Sequence, residues 1–314
     1  MTGPVPLPGS EQEARSPATF RCGYVAIIGK PNVGKSTLMN ALIGQKISIV
    51  TPKPQTTRHR ILGIRTRELD QIIFLDTPGL MKPEYPLHDA MMEAARSAIS
   101  DADVAVLMID AMSPGSGEEI DMEPAYALLR GCRAPVYLVI NKMDLVKPER
   151  ILPVIASYAE KQMFKEIYPV SALKQIGTED LLNGLSAELP VHPPYYPAEI
   201  VSEHSERFFV AELIREKIFE KFRDEIPYST AVQIADFKEI EGRKDLIQAE
   251  IIVERDSQKG IMIGKDGTAL KEVGELARKE IEAFLQRPVY LELYVKVKEQ
   301  WRKKDEWLKR FGYR

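Results

Sequence analysis

Gly29-Lys-Pro-Asn-Val-Gly34-Lys35-Ser36 is the segment that most restricts what this 314-residue chain can fold into. It fits the pattern glycine, four residues, glycine, lysine, then serine or threonine, and it follows a strand-like run and opens a helix-like stretch. There, small glycines let successive backbone N–H groups point inward as an anion cradle. The N-terminus of the following helix adds its positive dipole end. The candidate phosphate-binding residues are Gly29, Asn32, Val33, Gly34, Lys35, Ser36 and Thr37. Lys35 is placed to reach the β- and γ-phosphates, and Ser36 to ligate Mg²⁺.

The surrounding pattern agrees with that loop. Short, β-branched apolar runs at 24–28, 72–75, 104–109, 136–140 and 167–170 read as strands buried on both faces. Helical stretches fall near 35–43, 86–99, 118–131 and 178–189. Alternating strand and helix implies βαβ units and a mostly parallel sheet with helices on both faces. Residues 1–20 are rich in Pro, Gly, Ser and Glu without periodicity and read as a flexible tail. The first domain is therefore expected over 21–190. At Leu189-Pro-Val-His-Pro-Pro-Tyr-Tyr-Pro197 four prolines preclude a helix or a central strand, so 191–200 reads as a stiff linker.

A different pattern occupies 201–314. Val210, Ile214, Ile218 and Phe222 recur every four residues as one helix face, with Phe209 and Leu213 beside them. Strand-like segments follow at about 229–240 and 246–254, then a glycine-bearing turn, a helix to about Leu285 and a strand at 289–297. That order describes an α+β domain.

Three further segments carry chemistry in the first domain. Asp76-Thr-Pro-Gly79 ends a strand, where a carboxylate can hold Mg²⁺ and the Gly79 N–H can meet a γ-phosphate. Asn141-Lys-Met-Asp144 ends another. Asp144 can accept from the ring N–H and the amine of guanine together, which adenine does not offer. Asn141 would fix the loop and the Lys142 stem would cover the ring. Ser171-Ala172-Leu173 follows a further strand and could offer the Ala172 N–H to the guanine carbonyl. In open α/β sheets ligands bind beyond the carboxyl ends of the strands, where all four segments would meet.

In this order the four segments make 23–190 resemble a translation-factor-class GTPase domain. Pro54-Gln55-Thr56-Thr57-Arg58-His59 resembles switch I of the Era family. The resemblance implies that Thr57 closes on Mg²⁺ and γ-phosphate, with Thr56 the competing candidate. Leu80 stands where small signalling GTPases carry a water-positioning glutamine, an apolar exchange that Era-like proteins share. Asn32 matches an asparagine that helps related GTPases bind K⁺, which can replace an arginine finger. The catalytic set so implied is Lys35, Asn32, Thr57 and Gly79; the metal ligands are Ser36, Thr57 and Asp76.

In the second domain Ile263-Gly264-Lys265-Asp266-Gly267 forms a Gly-x-x-Gly loop between helices, the signature of a KH domain that clamps backbone nucleotides. The element order fits the type II arrangement, and a KH domain after such a GTPase domain is the Era family pattern. Aromatic and basic residues interleave further on, and Lys296, Lys298, Arg302 and a base-stacking Trp301 are expected RNA contacts. Trp307 and Phe311 are expected to dock on the core. The resemblance implies GTP hydrolysis to GDP. It also implies the 3′ end of small-subunit (16S) ribosomal RNA as partner, not DNA, and a role in small-subunit maturation. A cytoplasmic setting with peripheral inner-membrane association is a further family trait.

Charge at first argues against nucleic acid, since 43 basic and 46 acidic residues leave −3. That average hides a local excess: 296–314 hold eight basic and three acidic side chains. The hydrophobic share of 44% suits a globular core, and two cysteines exclude a disulfide scaffold. No His/Cys cluster has zinc spacing. No run reaches the roughly 20 apolar residues of a membrane helix.

Overall fold

The computed structural model describes residues 20–112 and 118–313, without the side chains of 118–122. The expected N-terminal tail, apart from Phe20, and the basic Arg314 lie outside the described residues.

The first domain runs β1 (Arg21–Gly29), α1 (Lys35–Ile43), β2 (Ile61–Thr66), β3 (Asp70–Asp76), α2 (Pro86–Asp101), β4 (Val104–Asp110), α3 (Glu118–Arg130), β5 (Val136–Asn141), α4 (Pro148–Ala159), β6 (Glu166–Pro169) and α5 (Thr178–Glu188). The sheet order is β2-β3-β1-β4-β5-β6. All neighbours are parallel except β2, which pairs antiparallel with β3. Alternation in β1 builds two cores at once. Val25 and Ile27 face Leu38, Leu42, Leu181 and Leu185 of α1 and α5. Ala26 and Ile28 face the opposite cluster, with Met91 and Ala95 of α2, Leu129 of α3 and Val154 of α4. Hence the strands are apolar on both sides.

Two elements escaped the sequence reading. β2 is an edge strand with a partly polar end, and α4 carries Ile151, Val154 and Tyr158 at helical spacing behind Pro148.

The second domain comprises α6 (Glu206–Lys221), β7 (Ala231–Lys238), β8 (Asp245–Val253), α7 (Asp256–Ile263), α8 (Thr268–Leu285), β9 (Val289–Val297), a 3₁₀ turn at Trp301–Lys303 and α9 (Asp305–Arg310). Its sheet runs β7-β8-β9, antiparallel and then parallel. Ile214 and Ile218 of α6 and Ala277 and Ile281 of α8 cover Ile247 and Ile251 of β8. Ser205 caps α6, its hydroxyl accepting from the Phe208 N–H.

The proline-rich segment lies against the first domain. Gln71 exchanges two hydrogen bonds with the Tyr196 backbone, at 2.8 and 3.0 Å, and the Ile64 N–H donates to the Val201 carbonyl. The charged face of α6 is buried too: Glu212, Arg215, Glu216 and Lys217 are all below one-tenth exposed. Lys46 of the first domain meets Glu216 at 2.6 Å, and the Val50 N–H donates to the same carboxylate at 3.0 Å. Among the described residues no helix is long and apolar enough to cross a membrane.

Phe74, at 0% exposure on β3, joins the α1/α5 core. Phe74→Ala is expected to destabilise the first domain by about 3–5 kcal/mol, read by urea unfolding.

Candidate functional site

The carboxyl ends of β1, β3, β5 and β6 lie on one edge of the sheet, as parallel pairing requires. A cavity of about 570 Å³ opens there. Asn32, Gly34, Lys35, Ser36, Thr37, Thr56, Thr57, Gly79, Asn141, Lys142 and Asp144, all sequence candidates but Thr56 as the rival to Thr57, line it. Gly29, Val33, Asp76, Ser171 and Ala172 stand behind that lining.

Gly34 caps α1 with φ of +99°, and a Cβ there would fall 2.4 Å from the Asn141 amide. Only glycine lets the loop close on Asn141. Asn141 is the rivet of the base side. Its amide donates to the Val33 carbonyl at 2.8 Å, and its Oδ1 accepts the Ala172 N–H at 2.9 Å. The Ala172 N–H expected to face guanine is therefore engaged by Asn141. Asp144 is held below the usual carboxylate range, first by a hydrogen bond from Ser171 and also by Lys174 at 3.8 Å. Lys142 stretches to Asp110, 2.6 Å away, so its stem lies along the site. Leu145 and Leu173, 60% and 79% exposed, add apolar walls that sequence reading passed over.

At the phosphate end Lys35 is 6% exposed and donates to the carbonyls of Gly29 (3.1 Å) and Lys30 (2.9 Å). Burial pushes its pKa down to about 8, against the pull of Asp76. Ser36 Oγ lies 2.7 Å from Asp76 Oδ2 and 2.9 Å from Thr57 Oγ1. Asp76 is 0% exposed, and among the described residues its Oδ1 has no hydrogen-bond partner. Burial raises its carboxyl, opposed by the Ser36 hydrogen bond and the Lys35 charge. Three oxygens beside an orphaned carboxylate oxygen form a hard donor set that suits Mg²⁺.

Of the two threonines, Thr57 meets Ser36, whereas Thr56 bonds Thr51 (2.7 Å) and the Lys53 carbonyl (2.8 Å), shaping its own loop. The Asn32 amide donates to the Pro52 carbonyl at 3.1 Å. The Leu80 N–H donates to the Gly29 carbonyl, and Gly79 lies against Pro31. Leu80 itself is 6% exposed and offers no side-chain hydrogen bond to water.

In the second domain Gly264 has φ of +73°, and a Cβ there would sit 2.6 Å from that of Ala269. Lys265 and Asp266 are exposed, Ile263 and Gly267 half-buried. Beside this loop a groove of about 490 Å³ runs between α8 and the edge strand β9. Lys271, Arg278 and Tyr290 line it, residues that the sequence reading did not single out.

Two expected RNA contacts are corrected. Trp301 is 0% exposed and its indole N–H donates to the Ser229 carbonyl at 2.8 Å, so it has no free face for a base. Arg302 pairs with Glu254 and reaches the Tyr85 hydroxyl at 3.3 Å, turned toward the first domain. Lys296 is half exposed and paired with Glu250, and the Lys298 ammonium lies 4.9 Å over Trp307. Trp307 and Phe311 pack together at 5.6 Å on the core.

A phosphate cradle, an oxygen cluster and the Asp144 carboxylate in one cavity, joined to a Gly-x-x-Gly domain, mark a P-loop nucleotide-binding protein with a KH domain. Comparison agrees: the 50S ribosome-binding GTPase family matches 24–142 and the KH domain family 225–302. The chloroplastic GTPase ERA1 of Zea mays is 49% identical over 94% of this chain and 71% of its own length. The GTPase Era of Lacticaseibacillus paracasei is 48% identical over 93% and 96%. A crystal structure of Aquifex aeolicus Era bound to GDP and AlF₄⁻ matches with a TM-score of 0.88 and 42% identity, covering 94% of this chain and 99% of that one. Era in complex with MgGDPNP and nucleotides 1506–1542 of 16S ribosomal RNA matches at 0.90, with the same identity and coverage. The chain belongs to the Era family and is a GTPase.

Because the Lys35 charge is lost as pH rises through about 8, and bound phosphate favours the charged form, affinity for GDP should be level from about pH 7, where the terminal phosphate is ionised, up to that point. Above it, affinity should fall toward roughly tenfold per pH unit. Lys35→Arg, charged throughout, should remove the slope in a fluorescence titration.

Proposed function

We propose that the chain is a GTP-driven switch that binds the 3′ end of small-subunit ribosomal RNA and acts in maturation of that subunit. One observation carries the reading: the solved relative that matches at TM-score 0.90 over 94% of this chain holds both MgGDPNP and the 16S segment.

In the nucleotide site, Lys35 and the 29–37 backbone bind the phosphates. Asn141 fixes the base loop, held to Val33 and Ala172, while Asp144 accepts from guanine. Ser36, Thr57 and Asp76 would hold Mg²⁺, which supplies neutralisation of phosphate charge. Gly79 presents its N–H to the γ-phosphate. Leu80 contributes no water-orienting group, so positioning falls to switch I and the loop backbone. Asn32 and the Pro52 carbonyl would hold K⁺, which supplies positive charge near the transferred group. The Asn32 side chain and the Pro52 carbonyl stand side by side, 3.1 Å apart, at the edge of the nucleotide cavity.

On the KH side, Gly264–Gly267 admits the nucleotide backbone closely. The edge position of β9 leaves one row of backbone donors and acceptors for bases. Ile263, Lys265 and Asp266 border that loop, and Lys296 and Lys298 add charge beyond it. The domain limits we assign are 21–190 and 201–314, with 191–200 between them. The free cysteines Cys22 and Cys132 fit a reducing cytoplasm, with membrane contact peripheral.

The test uses the full chain. Asp144→Asn should move preference from guanosine to xanthosine triphosphate, and Lys35→Ala should abolish hydrolysis. Gly264→Asp should weaken binding of a 3′-terminal 16S oligonucleotide by about tenfold or more while GTP affinity stays. Unchanged RNA affinity in that variant would refute the KH assignment. Equal turnover in K⁺ and Na⁺ salts would remove the monovalent cation.

A further inference from the structure

Arg58 follows Thr57 directly, yet its side chain ends in the other domain. The guanidinium donates to the carbonyls of Pro227 (3.0 Å), Tyr228 (2.9 Å) and Thr230 (2.7 Å). The one carbonyl it skips, that of Ser229, accepts the Trp301 indole N–H at 2.8 Å. Four successive carbonyls are thus taken by two side chains, and the Trp301 ring lies 6.0 Å from the Arg58 guanidinium carbon. Arg58 is 3% exposed, and among the described residues no carboxylate pairs with it. A buried cation whose fork meets three backbone carbonyls, with the Tyr313 side chain as a further partner, is held by geometry, because these donors must be met at once.

A second tie lies five residues earlier. Lys53 donates to the carbonyls of Phe219 and Phe222 at the C-terminal end of α6, where a helix favours positive charge. The segment 53–58 is therefore fastened to the second domain at both ends. Between the ties, Thr57 Oγ1 stands 2.9 Å from Ser36 Oγ. On the far side, Trp301 comes four residues after β9, the strand that walls the groove beside Gly267.

We propose that Arg58 is a positioning residue that sets Thr57 for hydrolysis, and that Trp301 relays the state of the β9 groove to it through the 227–230 carbonyls. The first half rests on the GTPase activity alone; the relay rests on the RNA reading above. A continuous chain of contacts makes the relay physically available, and coupling must be measured to establish it. By linkage, whatever RNA does to the GTP state, GTP must do to RNA affinity.

The test compares wild type, Arg58→Lys and Trp301→Phe in single-turnover GTP hydrolysis and GDP binding, with and without a saturating 3′-terminal 16S oligonucleotide. Lysine keeps the charge and loses the fork, so hydrolysis should slow by about tenfold to a hundredfold, as misplacement of a reacting centre does. GDP affinity, which needs no Thr57, should stay unchanged. Wild-type hydrolysis in this variant, or GDP affinity falling in step with rate, overturns the positioning role. Trp301→Phe keeps a ring and removes one donor. It should hydrolyse GTP at the wild-type rate without RNA and lose the wild-type response to RNA. A wild type that binds the oligonucleotide without any change in rate overturns the relay and leaves the RNA reading standing. A wild type that does not bind the oligonucleotide overturns the RNA reading and the relay together, and the Arg58 result without RNA is then judged separately.

Discussion

Asp76 is wholly buried, and among the described residues only one of its two carboxylate oxygens meets a hydrogen-bond donor. An unmet acceptor in the interior costs free energy, and burial already raises this carboxyl toward neutrality. Lys35, beside it, is pushed the other way toward its neutral form. The protein alone therefore leaves both ends of its central charge pair strained by desolvation. A phosphate chain with a hard cation relieves both, since the anion favours charged lysine and the cation favours ionised aspartate. Parallel pairing of β1 with β3 brings the lysine loop and the aspartate to the same edge of the sheet.

Completing that cluster requires Thr57, which belongs to no helix or strand. A free loop would lose conformational entropy each time it closed. Here much of that ordering is provided by the second domain, through Lys53, Arg58 and the Val50 N–H on Glu216. These ties are hydrogen bonds, joined by the Lys46–Glu216 ion pair. Groups of that kind lose little when they are released to water, because water replaces the partner. Apolar packing joins them: Phe209 is buried in the α1/α5 core of the first domain, and Trp301 and Leu308 share a cluster with Met91 and Met92.

What was legible in the sequence follows from this division. Five strands, four helices and the order of the second domain were readable because their signals are local: apolar runs, helical spacing, glycine and proline. The nucleotide segments were readable because phosphate and purine edges demand particular residues at strand ends. Strand β2 was not, since it is held by pairing with β3 rather than by its own pattern. Arg58 and Lys53 were not, because their acceptors are backbone carbonyls, which carry no sequence signature. Trp301 was misread for the same reason. Indole flanked by cations looks like a stacking platform until the Ser229 carbonyl is seen to take its N–H.

The same logic limits what the basic end of the chain can do. Its local excess of positive charge looked like an electrostatic footprint. Arg302 and Lys296 are nevertheless paired with Glu254 and Glu250, and Lys298 and Arg310 lie over Trp307. Arg302 and Lys296 contribute less to a distant field than free charges, because Glu254 and Glu250 cancel part of it. Recognition by this domain then depends more on shape: a loop where Gly264 removes a Cβ clash, and an edge strand with a row of unpaired backbone groups. The cations of the C-terminal segment fix β9 and the 3₁₀ turn behind it, and through that turn they bear on the loop that carries Thr57.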